Sequence, residues 1–192
     1  INNASGELIQ LKSPQSAQKN GIGYVPDDRK GQGLVLIRSV KENISLPTLH
    51  KRKKNMFIDR GAEGRFVTEL IEMLSIKVST DAQITRNLSG GNQQKVVIAK
   101  CLGAEPEVLI VSEPTRGIDV GSKSEIHHIM RDLANKGVGI IMISSELPEI
   151  LGMSDRVLVI SQGEIVQEIP GDVATEEMIM AAATRTNIGE GE

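Results

Sequence analysis

Aromatic residues and cysteine are the scarcest residue types in this chain of 192 residues. There is no tryptophan, one tyrosine, two phenylalanines and a single cysteine, Cys101. A lone cysteine excludes a disulfide or a cysteine-rich metal cluster within the chain, and it is typical of a reducing compartment. A two-histidine metal site is not predicted either, because His127 and His128 are adjacent and would not share a helix face.

Long apolar runs are also missing. No stretch approaches the roughly 20 apolar residues that cross a bilayer. The first residues, INNASGEL, have neither the charged nor the apolar region of a signal peptide. We therefore expect a soluble protein that reaches a membrane only through a partner. The formal net charge of −3 gives no electrostatic argument for nucleic acid. The one basic run, residues 50–54, is predicted to be a solvated loop, with contact to an acidic partner surface as the alternative.

Apolar patterning predicts an α/β fold. Short continuous apolar runs are typical of buried parallel strands, and one such run on each side of a helical pattern indicates strand–helix–strand alternation. The runs that predict buried parallel strands are residues 107–111 and 138–144, and residues 21–26 predict a further short strand that ends at Pro26. Residues 156–160 and 164–169 flank a Gln-Gly pair and predict a β-hairpin. Residues 40–103 have mostly helical periodicity and are predicted to be an insertion into the α/β core.

The most specific motif is LSGGNQQK, residues 88–95. Ser89, Gly90 and Gly91 stand just before a predicted helix, where unpaired backbone N–H groups and the helix dipole favour an anion. The glycines allow a ligand to approach the backbone closely, and the serine hydroxyl adds a hydrogen-bond donor. The alternative is a Gly-Gly capping turn that binds no ligand.

A second motif, VLIVSEPTRGID, covers residues 108–119. An apolar strand leads into Ser112 and Glu113, and a turn follows that ends at Asp119. Taken alone, Glu113 could be a strand-end carboxylate without a chemical role.

Together these motifs resemble the nucleotide-binding domain of ATP-binding cassette (ABC) transporters over nearly the whole chain. LSGGNQQK is similar to the ABC signature, VLIVSEPT to the Walker B strand and RGID to the D-loop. GYVPDDRKGQGL resembles the Q-loop region, and MISSELPEILGMSDRVLVISQGEI the switch region. DDRKGQGL, LSGGNQQK, EPTRGIDVG and SSELPEILGMSDR further resemble the second of two fused cassettes in bacterial carbohydrate importers of the ribose, galactose and xylose kind.

The resemblance implies a P-loop NTPase-type parallel sheet core with a mostly helical subdomain inserted. It divides the chain into a remnant of the N-terminal core with the Q-loop region (1–39), a helical signature subdomain (40–103), a core part with Walker B, D-loop and switch (104–170), and a C-terminal helix and tail (171–192). No G-x-x-x-x-G-K-[ST] string occurs. In the family that string precedes the region that residues 5–7 resemble, so we expect the P-loop strand and helix to be missing from this chain.

Three motif positions depart from the family pattern. Ser112 stands where the Walker B aspartate is expected, Asp27 where the Q-loop has glutamine, and Ser145 where the switch has histidine. A serine carries no charge with which to hold Mg²⁺. Glu113 keeps the position that orients the attacking water in phosphoryl transfer, and it is the one candidate catalytic residue.

The resemblance also implies that two cassettes pair head to tail and that each supplies its signature and D-loop to the partner's nucleotide. The residues of this chain expected to act on a partner's nucleotide are Ser89, Gly90, Gly91, Gln93 and Asp119. We therefore expect an asymmetric pair, in which this chain's own site is degenerate and ATP and Mg²⁺ are bound mainly through the partner cassette. The chain alone is expected to be inactive as an ATPase.

The implied partners are a second ABC cassette, transmembrane permease subunits and, indirectly, a sugar-binding protein, but no nucleic acid. The implied location is cytoplasmic, on the inner face of the cell membrane. The alternative function is a non-catalytic pairing or regulatory module of an ABC ATPase. A DNA-repair ATPase with an ABC-type head is disfavoured because it needs a long heptad insertion, which the sequence does not contain.

Overall fold

The computed structural model describes residues 10–54 and 57–184. The chain forms two compact units, Ile1–Ile143 and Ser144–Glu192, which are described separately below. The predictions made for residues 5–7 and for the tail after residue 184 lie outside the described residues. The four-part domain division proposed above stays a prediction.

A three-stranded parallel sheet forms the centre of the first unit. Strand β4 (Val108–Ser112) lies between β1 (Ile22–Val25) and β5 (Gly139–Ile143), and both neighbours run parallel to it. The predicted parallel sheet is thus confirmed, with β4 one residue further along the chain than predicted, so that Ser112 is its last residue. The apolar run of β5 is less buried than we expected, since Ile141 and Ile143 on one of its faces remain 53% and 52% exposed.

Helices carry most of the apolar core of the first unit. Helix α4 (Gly90–Leu102) buries Val96–Ala99, and α5 (Val120–Asn135) buries the predicted apolar stripe that includes Ile126 and Met130. The other helical elements of this unit are α1 (Pro14–Lys19), a π-helical turn (Arg29–Gly33), α2 (Val40–Ser45), the 3₁₀ helices Leu46–Arg52 and Thr85–Asn87, and α3 (Arg60–Met73).

The stretch DDRKGQG, which reads as a polar loop, contains the π-helical turn Arg29–Gly33. The Asp28 carboxylate accepts hydrogen bonds from the backbone N–H groups of Lys30 (3.2 Å) and Gly31 (3.0 Å). The polar composition correctly predicted that strand β1 ends before this stretch. The Asp28 cap, however, gives the stretch a defined helical backbone instead of a loop.

The basic run is not a loop. Its residues end the 3₁₀ helix Leu46–Arg52 and form the two-residue strand β2 (Lys53–Lys54), which pairs antiparallel with β3 (Phe57–Ile58). The Arg52 guanidinium lies 3.2 Å from the ring centre of Phe66 on α3. A cation–π contact with another element therefore orders one member of the run, and spacing alone does not reveal such a contact.

The second unit consists of α6 (Leu147–Met153), β6 (Arg156–Ser161), β7 (Glu164–Pro170) and α7 (Glu176–Thr184). Strands β6 and β7 form the predicted antiparallel hairpin. Its two turn residues, Gln162 and Gly163, have positive φ angles of 52° and 87°, as a tight two-residue hairpin turn requires. The core of this unit consists of Val157, Val159, Ile169, Ile179 and Ala182.

Candidate functional site

Helix α4 begins at the predicted signature motif. Ser89 is its N-cap residue, and its Oγ accepts hydrogen bonds from the Asn92 backbone N–H (3.4 Å) and from Asn92 Nδ2 (2.9 Å). A serine hydroxyl also carries one hydrogen of its own, which it can donate to an anion. Ser89 is exposed, so the start of the helix is open to a ligand.

The turn before Ser89 is held by buried amide side chains. Gln93 Nε2 donates to the carbonyl oxygens of Thr85 and Leu88, both at 3.3 Å. Asn43 Nδ2 donates to Thr85 Oγ1 at 3.0 Å. Gln93 was predicted among the groups that act on a nucleotide. In this structure its side chain is 5% exposed and stabilises the turn that leads into the signature motif.

Gly91 stands where there is no room for a side chain, and a side chain on Gly90 would displace the Arg29 guanidinium. A Cβ on Gly91 would overlap Cβ and Oγ of Ser122. A Cβ on Gly90 would lie 2.9 Å from Arg29 Nη2 and 3.3 Å from the Gly117 carbonyl oxygen. The sequence suggested that these glycines allow a ligand to approach. The structure shows that they also allow α4 to pack closely against neighbouring chain segments.

Residues 116–119, called the RGID segment below, lead into α5. Gly117 has a φ of 65°, which favours glycine, and Ile118 is buried. Asp119 is the N-cap of α5 and accepts a hydrogen bond from the Ser122 N–H at 3.0 Å. That hydrogen bond is the main cause that lowers the pKa of Asp119. Because Gly91 abuts Ser122, the positive ends of two helix dipoles lie close together.

Arg29 joins the π-helical turn to the RGID segment. Its Nη1 donates to the Arg116 carbonyl oxygen at 2.8 Å and its Nη2 to the Gly117 carbonyl oxygen at 3.1 Å. The Arg116 side chain in turn lies 3.6 Å from an oxygen of Asp27. Asp27, one of the three positions that depart from the family pattern, is thus part of an exposed ion pair, which contributes little to stability.

The end of strand β4 carries the candidate catalytic residue. Ser112 ends the strand, and Glu113 follows with a φ of 47°, an unusual value for a residue other than glycine. The Glu113 N–H donates to the Ile143 carbonyl oxygen at 2.7 Å, and Pro114 and Thr115 after it are buried. Ligands of open parallel sheets bind at the carboxyl ends of the strands, where Ser112 and Glu113 lie.

Ser145 lies in the second unit. It is exposed and precedes Glu146, the N-cap residue of α6. The neighbouring Ser144 Oγ donates to a carboxylate oxygen of Glu149 within the same unit.

A buried cation within the signature motif was not predicted. Lys95 has a side chain that is 2% exposed, and its Nζ lies 2.9 Å from Glu125 Oε2 on α5. The same Nζ donates to the Ser75 carbonyl oxygen at 2.9 Å. The hydrogen bond from Lys95, with its charge, lowers the pKa of Glu125. The signal available in the sequence was a lysine beside the apolar run that begins at Val96.

Residues 10–54 and 57–184 contain neither a clustered metal-ligand set nor a membrane-spanning helix. No group of three or more His, Cys, Asp or Glu side chains there could hold a metal ion. No helix in this part of the chain is long and apolar enough to span a bilayer.

Comparison with solved structures defines the fold. A nucleotide-free ATP-binding cassette from an ABC transporter superposes with a TM-score of 0.76 at 22% identity, covering 98% of this chain and 76% of that one. A dimeric, post-hydrolysis ATP-binding cassette bound to ADP and Pi superposes with a TM-score of 0.68 at 20% identity, covering 83% of this chain and 68% of that one. The fold is therefore that of an ABC cassette, as predicted.

Comparison at the sequence level defines the family. The family model described as "ABC transporter" matches residues 2–116, more than half of the chain, and this chain belongs to the ABC transporter family. A ribose import ATP-binding protein of Bacillus licheniformis is 52% identical over 93% of this chain and 36% of its own length. A xylose import ATP-binding protein of Thermoanaerobacter pseudethanolicus is 51% identical over 94% of this chain and 36% of its own length.

A putative ribose/galactose/methyl galactoside import ATP-binding protein of Rhizobium etli is 54% identical over 94% of this chain and 34% of its own length. The chain thus spans about a third of the length of the curated relatives that it matches.

The structure brings together most of the residues predicted to serve a partner. Gly90 lies close to the Gly117 carbonyl oxygen, and Gly91 lies close to Ile118 and to Ser122 in the first turn of α5, which Asp119 caps. Sequence reasoning missed three residues that organise this region, namely Arg29, Lys95 and Ser122. A basic residue in a polar loop and a serine directly after a glycine carried no distinctive signal.

Proposed function

We propose that this chain is part of an ABC-type ATPase that energises carbohydrate import, and that the start of α4 completes an ATP site whose other parts belong to a second cassette. The observation that carries the proposal is the convergence of the exposed Ser89, the glycines after it and the RGID segment. Relatives named for ribose and xylose import support the substrate class.

The chemistry at the start of α4 is anion binding. The first N–H groups of a helix have no partner within it, so the amides of Gly90 and Gly91 and the Ser89 hydroxyl can donate to the γ-phosphate of a nucleotide held by the partner. Donors that are already in place stabilise the charge that develops during phosphoryl transfer. Gln93 holds the preceding turn, and Asp119 sets the start of α5 and the geometry between the two cassettes.

The nucleotide site formed by this chain's own Walker B, Q-loop and switch positions is proposed to be degenerate. When bound, Mg²⁺ neutralises charge on the transferring phosphate, and it is usually held by one or two carboxylates plus phosphate oxygens. The residues at the end of β4 fit this ion poorly, because Ser112 is neutral and the carboxylate beside it, Glu113, is the group expected to orient the attacking water. Glu113 remains suited to orienting a water molecule. ATP and Mg²⁺ would thus be bound mainly through the partner cassette.

The remaining partners follow from the family and are part of the proposal. They are transmembrane permease subunits and, indirectly, a sugar-binding protein, which would place the chain on the cytoplasmic face of the membrane.

The proposal is tested by mixing this chain with a complete cassette of a carbohydrate importer and measuring ATP hydrolysis. The informative variant is Ser89→Asp, because aspartate is as good an N-cap as serine but places a negative charge beside the γ-phosphate. We expect unchanged thermal unfolding and at least a roughly tenfold loss of stimulated hydrolysis, in line with loss of an anion-stabilising donor. Ser79→Asp, at an exposed bend, is the matched control. Undiminished stimulation by Ser89→Asp would contradict the proposal.

The neutral Ser112 also favours a second candidate, a pairing or regulatory module without a catalytic role of its own. Glu113→Gln separates the two, because a contribution of this chain's own site to turnover would fall with that substitution. A lower rate in the mixture would exclude a module without a catalytic role. Calorimetric titration of the chain alone with ATP and Mg²⁺ gives a second criterion, and micromolar binding would contradict a degenerate site.

A further inference from the structure

We propose that Arg29 is a positioning residue that holds the RGID segment in place beside the start of α4. The effect of this residue on ATP hydrolysis rests on the function proposed above. The effect of Arg29 on the order of the RGID segment does not rest on that function. The positioning role and the proposed function can therefore be refuted separately.

The guanidinium of Arg29 binds two consecutive backbone carbonyl groups. A guanidinium carries its N–H donors in a rigid, planar fork, and here two of its nitrogens reach the carbonyl oxygens of the consecutive residues Arg116 (2.8 Å) and Gly117 (3.1 Å). Its Nε is buried and has no hydrogen-bond partner in the part of the chain that the structure describes. The two Nη contacts therefore anchor this side chain.

The π-helical turn that carries Arg29 is itself fixed to α4. A Cβ on Gly33, at the end of the same π-helical turn, would lie 2.9 Å from Val97 Cγ2, so this turn packs tightly against the helix. Lys100 Nζ donates to the Gly33 carbonyl oxygen at 2.9 Å. Arg29 thus extends from a turn attached to α4 and binds the RGID segment with its fork.

Arg29 also places its positive charge close to the start of α4. A Cβ on Gly90 would lie 2.9 Å from Arg29 Nη2, so the cation stands beside the first turn of α4. Its field adds to that of the helix dipole at the place where we propose that a phosphate binds. Loss of the guanidinium would loosen the RGID segment and also remove positive charge from that place.

The structural part is tested by hydrogen exchange in the chain alone. The amides of Ile118 and Ser122 donate to Thr115 O and Asp119 Oδ1, so their exchange reports the order of the RGID segment. We expect Arg29→Met to accelerate their exchange about tenfold, the size expected for losing charge-assisted hydrogen bonds. The matched control is Arg38→Met, because Arg38 is exposed and, among residues 10–54 and 57–184, its ion pair is with Glu42 at the start of the adjacent helix α2.

Arg29→Lys keeps the charge but not the fork, and we expect it to restore less than half of the lost protection. In the mixed ATPase assay, Arg29→Met should lower the maximal stimulated rate while the ATP concentration for half-maximal rate changes less than about twofold, as expected when transition-state rather than ground-state contacts are lost.

Exchange in Arg29→Met that matches the wild type would overturn the inference, whatever the activity. Faster exchange with a full stimulated rate would overturn the role of Arg29 in the ATP site. Faster exchange combined with no stimulation by the wild-type chain would support the positioning role and overturn the proposed function instead.

Discussion

The ion pair between Lys95 and Glu125 predicts an asymmetric response to mutation. The Lys95 side chain is 2% exposed, whereas that of Glu125 is 43% exposed. Glu125→Gln leaves a buried cation whose partners among the described residues, such as the Ser75 carbonyl oxygen, are neutral. Lys95→Met removes the cation altogether and leaves a carboxylate that water can solvate and that Lys77 approaches to 3.4 Å.

The magnitudes follow from burial. Breaking a fully buried pair by removing one partner costs about 3–5 kcal/mol. Because Glu125 is partly solvated, we expect Glu125→Gln to lower the free energy of unfolding by about 2 kcal/mol. For Lys95→Met we expect about 1 kcal/mol or less, since the lost hydrogen bond to Ser75 is offset by relief from burying an ammonium group. In a Lys95→Met background, Glu125→Gln should cost less than about 0.5 kcal/mol.

The assay is urea unfolding of the wild type, both single variants and the double variant, followed by far-UV circular dichroism because the chain has no tryptophan. The reasoning would be refuted if Lys95→Met lowered the free energy of unfolding more than Glu125→Gln does. It would also be refuted if Glu125→Gln lowered that free energy equally in the wild type and in the Lys95→Met variant.

The pH dependence of this pair has a defined sign. The pKa of Glu125 is lowered from 4.5 in the folded chain, first by the hydrogen bond from Lys95 and then by its charge. A carboxylate with a depressed folded-state pKa contributes stability that is fully present above its unfolded pKa and is lost as the pH falls through its folded pKa. The stability difference between the wild type and Glu125→Gln should therefore shrink below pH 4.5.

Two further predictions concern helix α4. Gly91→Ala should lower the free energy of unfolding by about 1–2 kcal/mol, because the new methyl overlaps Ser122, and Ser122→Gly should recover part of that loss in the double variant. Urea unfolding measures this, and an additive double variant would contradict it. Burial raises the pKa of the Cys101 thiol to about 11. Alkylation by iodoacetamide at pH 8 should thus be at least about 100-fold slower than that of a free cysteine, and unfolding in urea should remove the difference.

The sequence by itself determined those features whose chemistry is local. Apolar runs predicted the parallel sheet, and the Gln162-Gly163 pair predicted the hairpin turn, whose residues have the positive φ angles that such a turn requires. A serine before two glycines predicted the start of α4, since an N-cap side chain bonds the backbone three residues further on. In each case the residues that cause the structure are neighbours along the chain.

Burial was harder to predict, because the covering residues come from elsewhere in the chain. The run in β5 is apolar throughout, yet Ile141 and Ile143 remain half exposed. Lys95 is a charged residue by type, yet it is buried, because Glu125 on another helix and the Ser75 carbonyl satisfy its ammonium group. Residue type predicts burial only on average, and an individual residue departs from the average when a distant partner compensates it.

Only the tertiary structure decided how the candidate site is assembled. Arg29 reaches a carbonyl oxygen 88 residues away, at Gly117, and Gly91 is small because Ser122 occupies the neighbouring space. Backbone carbonyl groups are the same at every position, so no side chain in the sequence marks Gly117 as an acceptor. The contact exists because folding brings the π-helical turn, α4 and the RGID segment together, and this arrangement is set by packing across the whole first unit.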